Sequence, residues 1–416
     1  MRFFGKRRIF VDPKTETINM RILSLVNHAC TSLLVLAALV SCNKDKTTPQ
    51  PENKPDPVVT EPTKYSLKKL EDMTLREKVG QLFNIRPEEL LPGGSGYVEA
   101  GIQDMKSLFK NYPCGSITLF AGNIITPQQT IALTTFLHGL DNYPLLCIDE
   151  EGGRVARIGK NSAFPITRVS AMGTIGSTGN PENAYNAGSI IGEYLLRYGF
   201  DVDLAPVSDV NTNPDNVVIG DRAFGSSPDL VASMVARFLP GLQNNKVEGC
   251  LKHFPGHGDT TADTHYGYAE SLKTWEQLKE CEMLPFQAGI NAGVRMIMTA
   301  HVCLPNVVGA QIPSTLSSKV LQDILRGELG YTGIIITDSM AMGAITKEYS
   351  ADKAAIEAIK AGVDIVLDPA NYQKAFDAVV KAVEEGEISE QLINERAARV
   401  LSLKKDILTA RGQLKD

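Results

Sequence analysis

From residue 64 onward the chain alternates two kinds of segment. Short runs that are apolar at nearly every position occur at 80–85, 115–120, 145–149, 201–206, 248–253, 295–301, 333–338 and 364–368. Strands covered on both faces read this way, because neither side-chain direction meets water. Between them lie longer stretches such as TPQQTIALTTFLHGL (126–140), PDLVASMVARFLPGLQNN (228–245) and TWEQLKECEMLPFQAGINAG (274–293). Their apolar residues recur every three or four positions, which places one apolar stripe on a helix. SSPD and SLKT supply the polar residues at which helices start. SADKAAIEAIKAG precedes the last apolar run, and two further helical patterns follow it to Gly412. Eight strand–helix units predict an α/β fold with a single catalytic-type domain, a (β/α)8 barrel of the TIM type. The alternative is an open doubly wound sheet, but no GxGxxG or GxxxxGK[ST] follows an early strand.

The region before this alternation has a different character. In MRILSLVNHACTSLLVLAALVSCNKDK, which begins at Met20, Arg21 precedes an apolar run at 32–40. That run is shorter than the roughly 20 residues a membrane span needs, and it suits a secretory leader. LVSC at 39–42 resembles a bacterial lipoprotein signal, which implies that Cys42 is lipidated and becomes the mature N-terminus. Met20 is then an alternative start to Met1. Residues 43–64, rich in Pro, Thr, Lys and Asp, carry too little apolar surface to fold and read as a flexible tether. The expected division is a signal segment at 1–42, a tether at 43–64 and a barrel domain at 65–416. The protein is expected to be an exported lipoprotein anchored to a membrane, at the periplasmic face or the cell surface.

Composition adds exclusions. The net charge of -6 is spread over 42 basic and 48 acidic residues with no basic cluster, which points away from nucleic acid. Five cysteines follow the tether, at 114, 147, 250, 281 and 303. Their odd number and irregular spacing suit buried thiols rather than a disulfide framework or a CxxC metal site.

The polar residues that interrupt the apolar runs fall at their ends. CIDEEGGRVAR gives Asp149, Glu150, Glu151, Arg154 and Arg157; the next run leads to Asp209 and Asn211, and GDRAFG contains Asp221 and Arg222. LKHFPGHGDTTADTHYG holds three of the chain's six histidines, His253, His257 and His265, together with Lys252, Asp259 and Asp263. The last two polar ends are His301 in MTAHV and Asp338 in GIIITDSMAMGA. One buried charge at a strand end is a structural ion pair; a ring from five successive strands on the face where barrels do chemistry reads as an active site.

Carboxylates, histidines, Arg and Lys without a nucleophilic Ser or Cys motif suit glycoside hydrolysis, which needs a carboxylate at an oxocarbenium-like centre and a proton donor for the leaving oxygen. Asp338, held by a strand end beside small residues, suits the nucleophile. A free histidine titrates near neutrality, so His265 can donate and then accept a proton. Asp263, two residues before it, can orient the ring. A metal site at His253, His257 and Asp259 is disfavoured because Pro255 and Gly256 break the helix that would align ligands four apart. His257 and His301 are read as bracing groups instead. A Schiff-base role for Lys252 would need an apolar pocket, and its neighbours are polar. Met340 and Met342 read as packing, with one of them available to line the pocket.

Taken together, KHFPGHGDTTADTHYG, IDEEGGRVAR, GDRAFG and ITDSMAMGA resemble the single-barrel β-N-acetylglucosaminidases of glycoside hydrolase family 3, from about residue 65 to the C-terminus. The resemblance implies a retaining exo-β-N-acetylglucosaminidase working through a covalent glycosyl-enzyme on Asp338, with His265 as acid/base and Asp263 as its paired carboxylate. It also implies that Asp149, Arg157, Arg222, Lys252 and His253 bind a terminal N-acetylglucosamine. It implies neither cofactor nor metal, a small glycan partner, a monomer, and a place in peptidoglycan turnover. Glu150, which the resemblance puts next to the sugar site, stands where relatives commonly have Gln, and the export signal departs from relatives that recycle wall fragments in the cytoplasm. Other family 3 β-glycosidases and N-acetylglucosaminide phosphorylases are the alternatives within the family. Outside the enzyme class stands a lipid-anchored sugar-binding protein without activity.

Overall fold

A computed structural model describes residues 63–94, 96–260 and 269–415, which belong to the compact unit Glu61–Asp416. Each of the eight apolar runs contains a strand: β1 (Phe83–Ile85), β2 (Ser116–Thr118), β3 (Leu145–Ile148), β4 (Val202–Asp203), β5 (Glu248–Phe254), β6 (Met296–Thr299), β7 (Ile334–Thr337) and β8 (Val366–Leu367). They form one parallel sheet in the order β8-β1-β2-β3-β4-β5-β6-β7. A parallel bridge between Ile336 and Ile365 brings β7 back to β8 and closes the barrel.

Strand side chains alternate between two directions, and the core divides accordingly. Leu145, Cys147, Val202, Leu204, Cys250, Met296, Met298, Ile334, Ile336, Ile365 and Leu367 pack together inside the barrel. Leu146, Ile148, Leu251, Ile297 and Ile335 face the surrounding helices in a separate cluster. Burial on both faces explains why the runs show no polar alternation. The final helix, Glu390–Ala410, adds Val400, Leu403, Ile407 and Leu408 to the inner cluster.

The helical patterns are observed at Pro127–His138, Pro228–Asn244, Ala351–Ala361, Tyr372–Glu384 and Glu390–Ala410. Thr126 caps the first of these by accepting the N–H of Gln129 at 3.3 Å. The continuous helix expected over 274–293 is corrected to two, Trp275–Glu280 and Met283–Asn291. Cys281 leaves the helical region (φ -131, ψ -81), and the Glu282 beside it is buried against Lys273. The helical period runs through the break unaltered, so tertiary burial of Glu282 overrides it.

Two strand-start aspartates carry structural ion pairs. Asp201 accepts from Tyr143 Oη at 2.9 Å, Arg411 Nη1 at 2.6 Å and the Leu146 N–H at 2.8 Å, with His138 Nε2 at 2.8 Å. Asp364 is held by Arg326, Arg396 and Arg399. Four of the five cysteines are buried, Cys281 is partly so, and all five are free thiols.

Candidate active site

The alternation inside the barrel continues past the last hydrogen-bonded residue of each strand, and this brings the polar ring together. Asp149 shares the inward phase of Leu145 and Cys147, Lys252 that of Cys250, and Asp338 that of Ile334 and Ile336. Their side chains therefore meet at the strands' C-terminal mouth. Asp149, Arg157, Arg222, Lys252, His253 and Asp338 all line one cavity of about 490 Å³, with Glu151 and His257 on the same wall. That volume is within the range of small-ligand pockets, roughly 300–1,000 Å³.

One wall is a chain of alternating charges. Lys252 Nζ donates to Asp149 Oδ1 at 2.9 Å and to Glu151 Oε1 at 2.6 Å. Arg157 Nη2 donates to Asp149 Oδ2 at 2.9 Å. Arg222 grips Glu151 with Nε and Nη2, each at 2.8 Å, in a bidentate fork. Burial by itself would raise both carboxyls, but the neighbouring cations outweigh it. Asp149 is held below its ordinary value by Lys252 and Arg157, and Glu151 is pulled down to about 2 by Lys252 and Arg222. The two carboxylates push Lys252 up despite its burial, so the amine stays protonated. A Schiff-base lysine requires the opposite shift.

The histidine loop is braced by Asp209, which no sequence argument had given a role. His253 Nδ1 sits 2.7 Å from Asp209 Oδ2, and the His257 N–H donates to Asp209 Oδ1 at 2.7 Å. His253 Nε2 then faces Arg222 Nη2 at 3.4 Å. The buried His257 is depressed by desolvation and by its neighbour His253, and Thr260 Oγ1 lies 2.9 Å from its Nδ1. Its bracing role is observed, and the ring also lines the cavity. Asp259 turns to Thr212 and Lys273 instead. Among the described residues no group of three His, Cys, Asp or Glu side chains is arranged to hold a metal.

Asp338 stands across from this wall, at the end of β7. Its Oδ1 accepts the Ser339 N–H at 2.7 Å. Ser339 is fixed from two further directions: His301 Nε2 lies 3.0 Å from its carbonyl, and its hydroxyl donates to Asp368 Oδ2 at 2.6 Å. Arg86 clamps Asp368 through Nε at 2.8 Å and Nη2 at 2.7 Å. Arg86, Asp368 and Phe120 line the cavity and escaped the sequence reading. Arg86 falls just after β1 among acidic residues, and its partner lies 282 positions away. Met342 lines the cavity and Met340 is buried, so the methionine pair divides as expected.

Glu150 departs from its expected place beside the sugar pocket. It points outward between strand and helix, where it accepts the N–H groups of Arg157, Ile158 and Gly159 at 2.6, 2.9 and 2.6 Å and the Tyr194 hydroxyl at 2.9 Å. It is therefore a brace for the loop that carries Arg157. Asp263, His265 and Cys42 lie outside the described residues, as do the signal segment and nearly all of the tether. The residues flanking 261–268 are described: Thr260 is buried, and Ala269–Glu270 pairs in parallel with Val302–Cys303.

Residues 74–403 match the glycosyl hydrolase family 3 N terminal domain. The chain is 32% identical over 327 residues to Beta-hexosaminidase A of Pseudoalteromonas piscicida, covering 72% of this chain and 55% of that protein. It is 38% identical over 260 residues to a Beta-hexosaminidase of Nitrosomonas eutropha, covering 61% of this chain and 73% of the relative. The solved structure of a glycoside hydrolase family 3 beta-N-acetylglucosaminidase from Paenibacillus sp. superposes with a TM-score of 0.75 at 36% identity, over 81% of this chain and 63% of that one. Beta-N-acetylhexosaminidase from Beutenbergia cavernae gives 0.69 at 25% identity, over 80% and 99%. The chain thus spans little more than half of the Pseudoalteromonas protein and under two thirds of the Paenibacillus one.

Proposed function

Since this chain belongs to glycosyl hydrolase family 3, we propose that it is a retaining exo-β-N-acetylglucosaminidase that removes terminal, non-reducing β-linked N-acetylglucosamine. The observation that carries this reading is the placement of Asp338 in one sugar-sized cavity with the Asp149–Lys252–Glu151–Arg222 wall. The names of the relatives support the choice of sugar.

In this reading the wall holds the sugar: Asp149 accepts from hydroxyls, Arg157, Arg222 and Lys252 donate to hydroxyl and acetamido oxygens, and His253 Nε2 accepts from a hydroxyl. Asp338 attacks C1 as the glycosidic bond breaks, and the His265 imidazolium gives its proton to the departing oxygen. The sugar is then an ester of Asp338. In the second half the neutral His265 takes a proton from water, the water oxygen bonds to C1, and the ester bond breaks to restore the Asp338 carboxylate. One water is consumed and the β configuration is kept. Asp263 holds the imidazole and favours its charged form.

The LVSC segment and the tether support a further part of the proposal, that the enzyme is exported and held at a membrane by a lipid on Cys42.

The test is Asp338→Ala. Turnover of p-nitrophenyl β-N-acetylglucosaminide should fall by at least about 10³-fold, with the fold intact by circular dichroism. Activity close to that of the unaltered protein would remove Asp338 from the reaction and this mechanism with it.

A further inference from the structure

A second cavity, of about 370 Å³, adjoins the first and shares Arg86, Phe120, Ala341 and Asp368 with it. Its position around the barrel gives it a direction relative to the sugar. The polar wall comes from β3, β4 and β5 with their loops, and Asp338 comes from β7. The next strands round the ring are β8 and β1, which deliver Asp368 and Arg86. A sugar with its hydroxyls on the wall and C1 at Asp338 has its anomeric end on the side of the barrel that opens into the second cavity.

That cavity is lined by an aromatic side chain that lies mostly in solvent. Tyr97 is 69% exposed. Its ring lies so close to Gly122 that a Cβ there would come within 2.3 Å of it, so only glycine admits this contact. A ring laid on bare backbone and open to solvent on its remaining surface is a platform for an amphipathic ring, and sugars present C–H faces of that kind. Phe120, with the Arg86 guanidinium 4.9 Å from its ring centre, forms the border between the two cavities.

Charge narrows the occupant. The described lining contains one cation, Arg86, against three carboxylates, Glu88, Glu89 and Asp368. Arg86 is committed to Asp368, and Glu88 Oε1 accepts from the Val98 N–H and Asn123 Nδ2 at 3.0 and 2.6 Å. Burial, with the Asp368 charge next, raises the Glu89 carboxyl. A carboxylate-bearing guest would enter an excess of negative charge.

We propose that this second cavity is the leaving-group subsite, that Tyr97 is its sugar platform, and that it takes a neutral N-acetylglucosamine residue in preference to a sugar carrying a carboxylate. The inference rests on the hydrolase reading above and adds the substrate class, a chitooligosaccharide-type chain.

Three substrates test it: N,N′-diacetylchitobiose, the β-1,4 disaccharide of N-acetylglucosamine and N-acetylmuramic acid, and N-acetylglucosaminyl β-azide, whose leaving group is too small to reach Tyr97. The unaltered protein should show kcat/KM about tenfold higher on chitobiose than on the muramyl disaccharide. Tyr97→Ala should lower the chitobiose-to-azide ratio of kcat/KM by about tenfold, the worth of one aromatic face, and Tyr97→Phe should keep that ratio. An unchanged ratio in Tyr97→Ala overturns the platform. Equal or faster cleavage of the muramyl disaccharide overturns the charge selection. An unaltered protein that leaves even the azide intact sinks the hydrolase reading itself, and the subsite falls with it.

Discussion

Replacing Lys252 with methionine keeps an unbranched side chain one atom shorter and removes its charge. The ammonium bridges Asp149 and Glu151 at 2.9 and 2.6 Å, so the two carboxylate oxygens lie at most about 5.5 Å apart. Their repulsion at that distance is about 3 kcal/mol with an effective dielectric constant near 20. Arg157 and Arg222 each still hold one carboxylate, so the loss should be close to this repulsion rather than to that of two stranded charges. Unfolding entropy for a unit of this length is about 0.75 kcal/mol/K, which converts the loss to a fall in Tm of about 4 °C. Catalysis should suffer more: a carboxylate displaced by an ångström from the sugar costs about 100-fold in rate. Calorimetry and kcat/KM on p-nitrophenyl β-N-acetylglucosaminide measure the two effects on the same preparation. A Tm within 1 °C of the parent together with kcat/KM within threefold would refute the claim that this bridge holds the wall.

Lys404 is buried, donates to Gln81 Oε1 and to the Asn142 carbonyl, and is depressed by desolvation from 10.5 to about 7. Because its folded pKa lies below its unfolded one, the unfolded chain binds the extra proton between about pH 7 and 10.5; this group makes stability rise across that window, and below it the full penalty persists. Lys404→Met should flatten the rise, and a Tm difference between pH 7 and pH 9 identical to the parent's would contradict it. His265→Ala should impair natural oligosaccharides at least about tenfold more than p-nitrophenyl glycosides, since a good leaving group needs little protonation; equal losses would remove it as the acid. Cys42→Ser should abolish labelling by radioactive palmitate in a bacterial host, and persistent labelling would refute lipidation at that position.

How much of this was legible in the chain depends on the range of the interaction involved. The eight strands and their helices follow from local hydrophobic periodicity, and so does the inward phase of Asp149, Lys252 and Asp338. The same alternation contains the separation of Glu150 from its neighbours, since a residue one step from an inward Asp149 must face the helices. A family pattern that places Glu150 beside the sugar obscured that geometry. The break at Cys281 was invisible because helical periodicity says nothing about a carboxylate such as Glu282 being drawn into the interior.

Sequence by itself determined the barrel, the strand ends that bear chemistry and the identities of the residues gathered there, because backbone alternation and apolar burial act between near neighbours. Only the tertiary structure decided which charges pair. Arg86 with Asp368, Arg222 with Glu151 and Asp209 with His253 are joined across 282, 71 and 44 positions. Closure of the ring brings such groups within bonding distance, and a Coulomb partner so remote in the chain leaves no local trace.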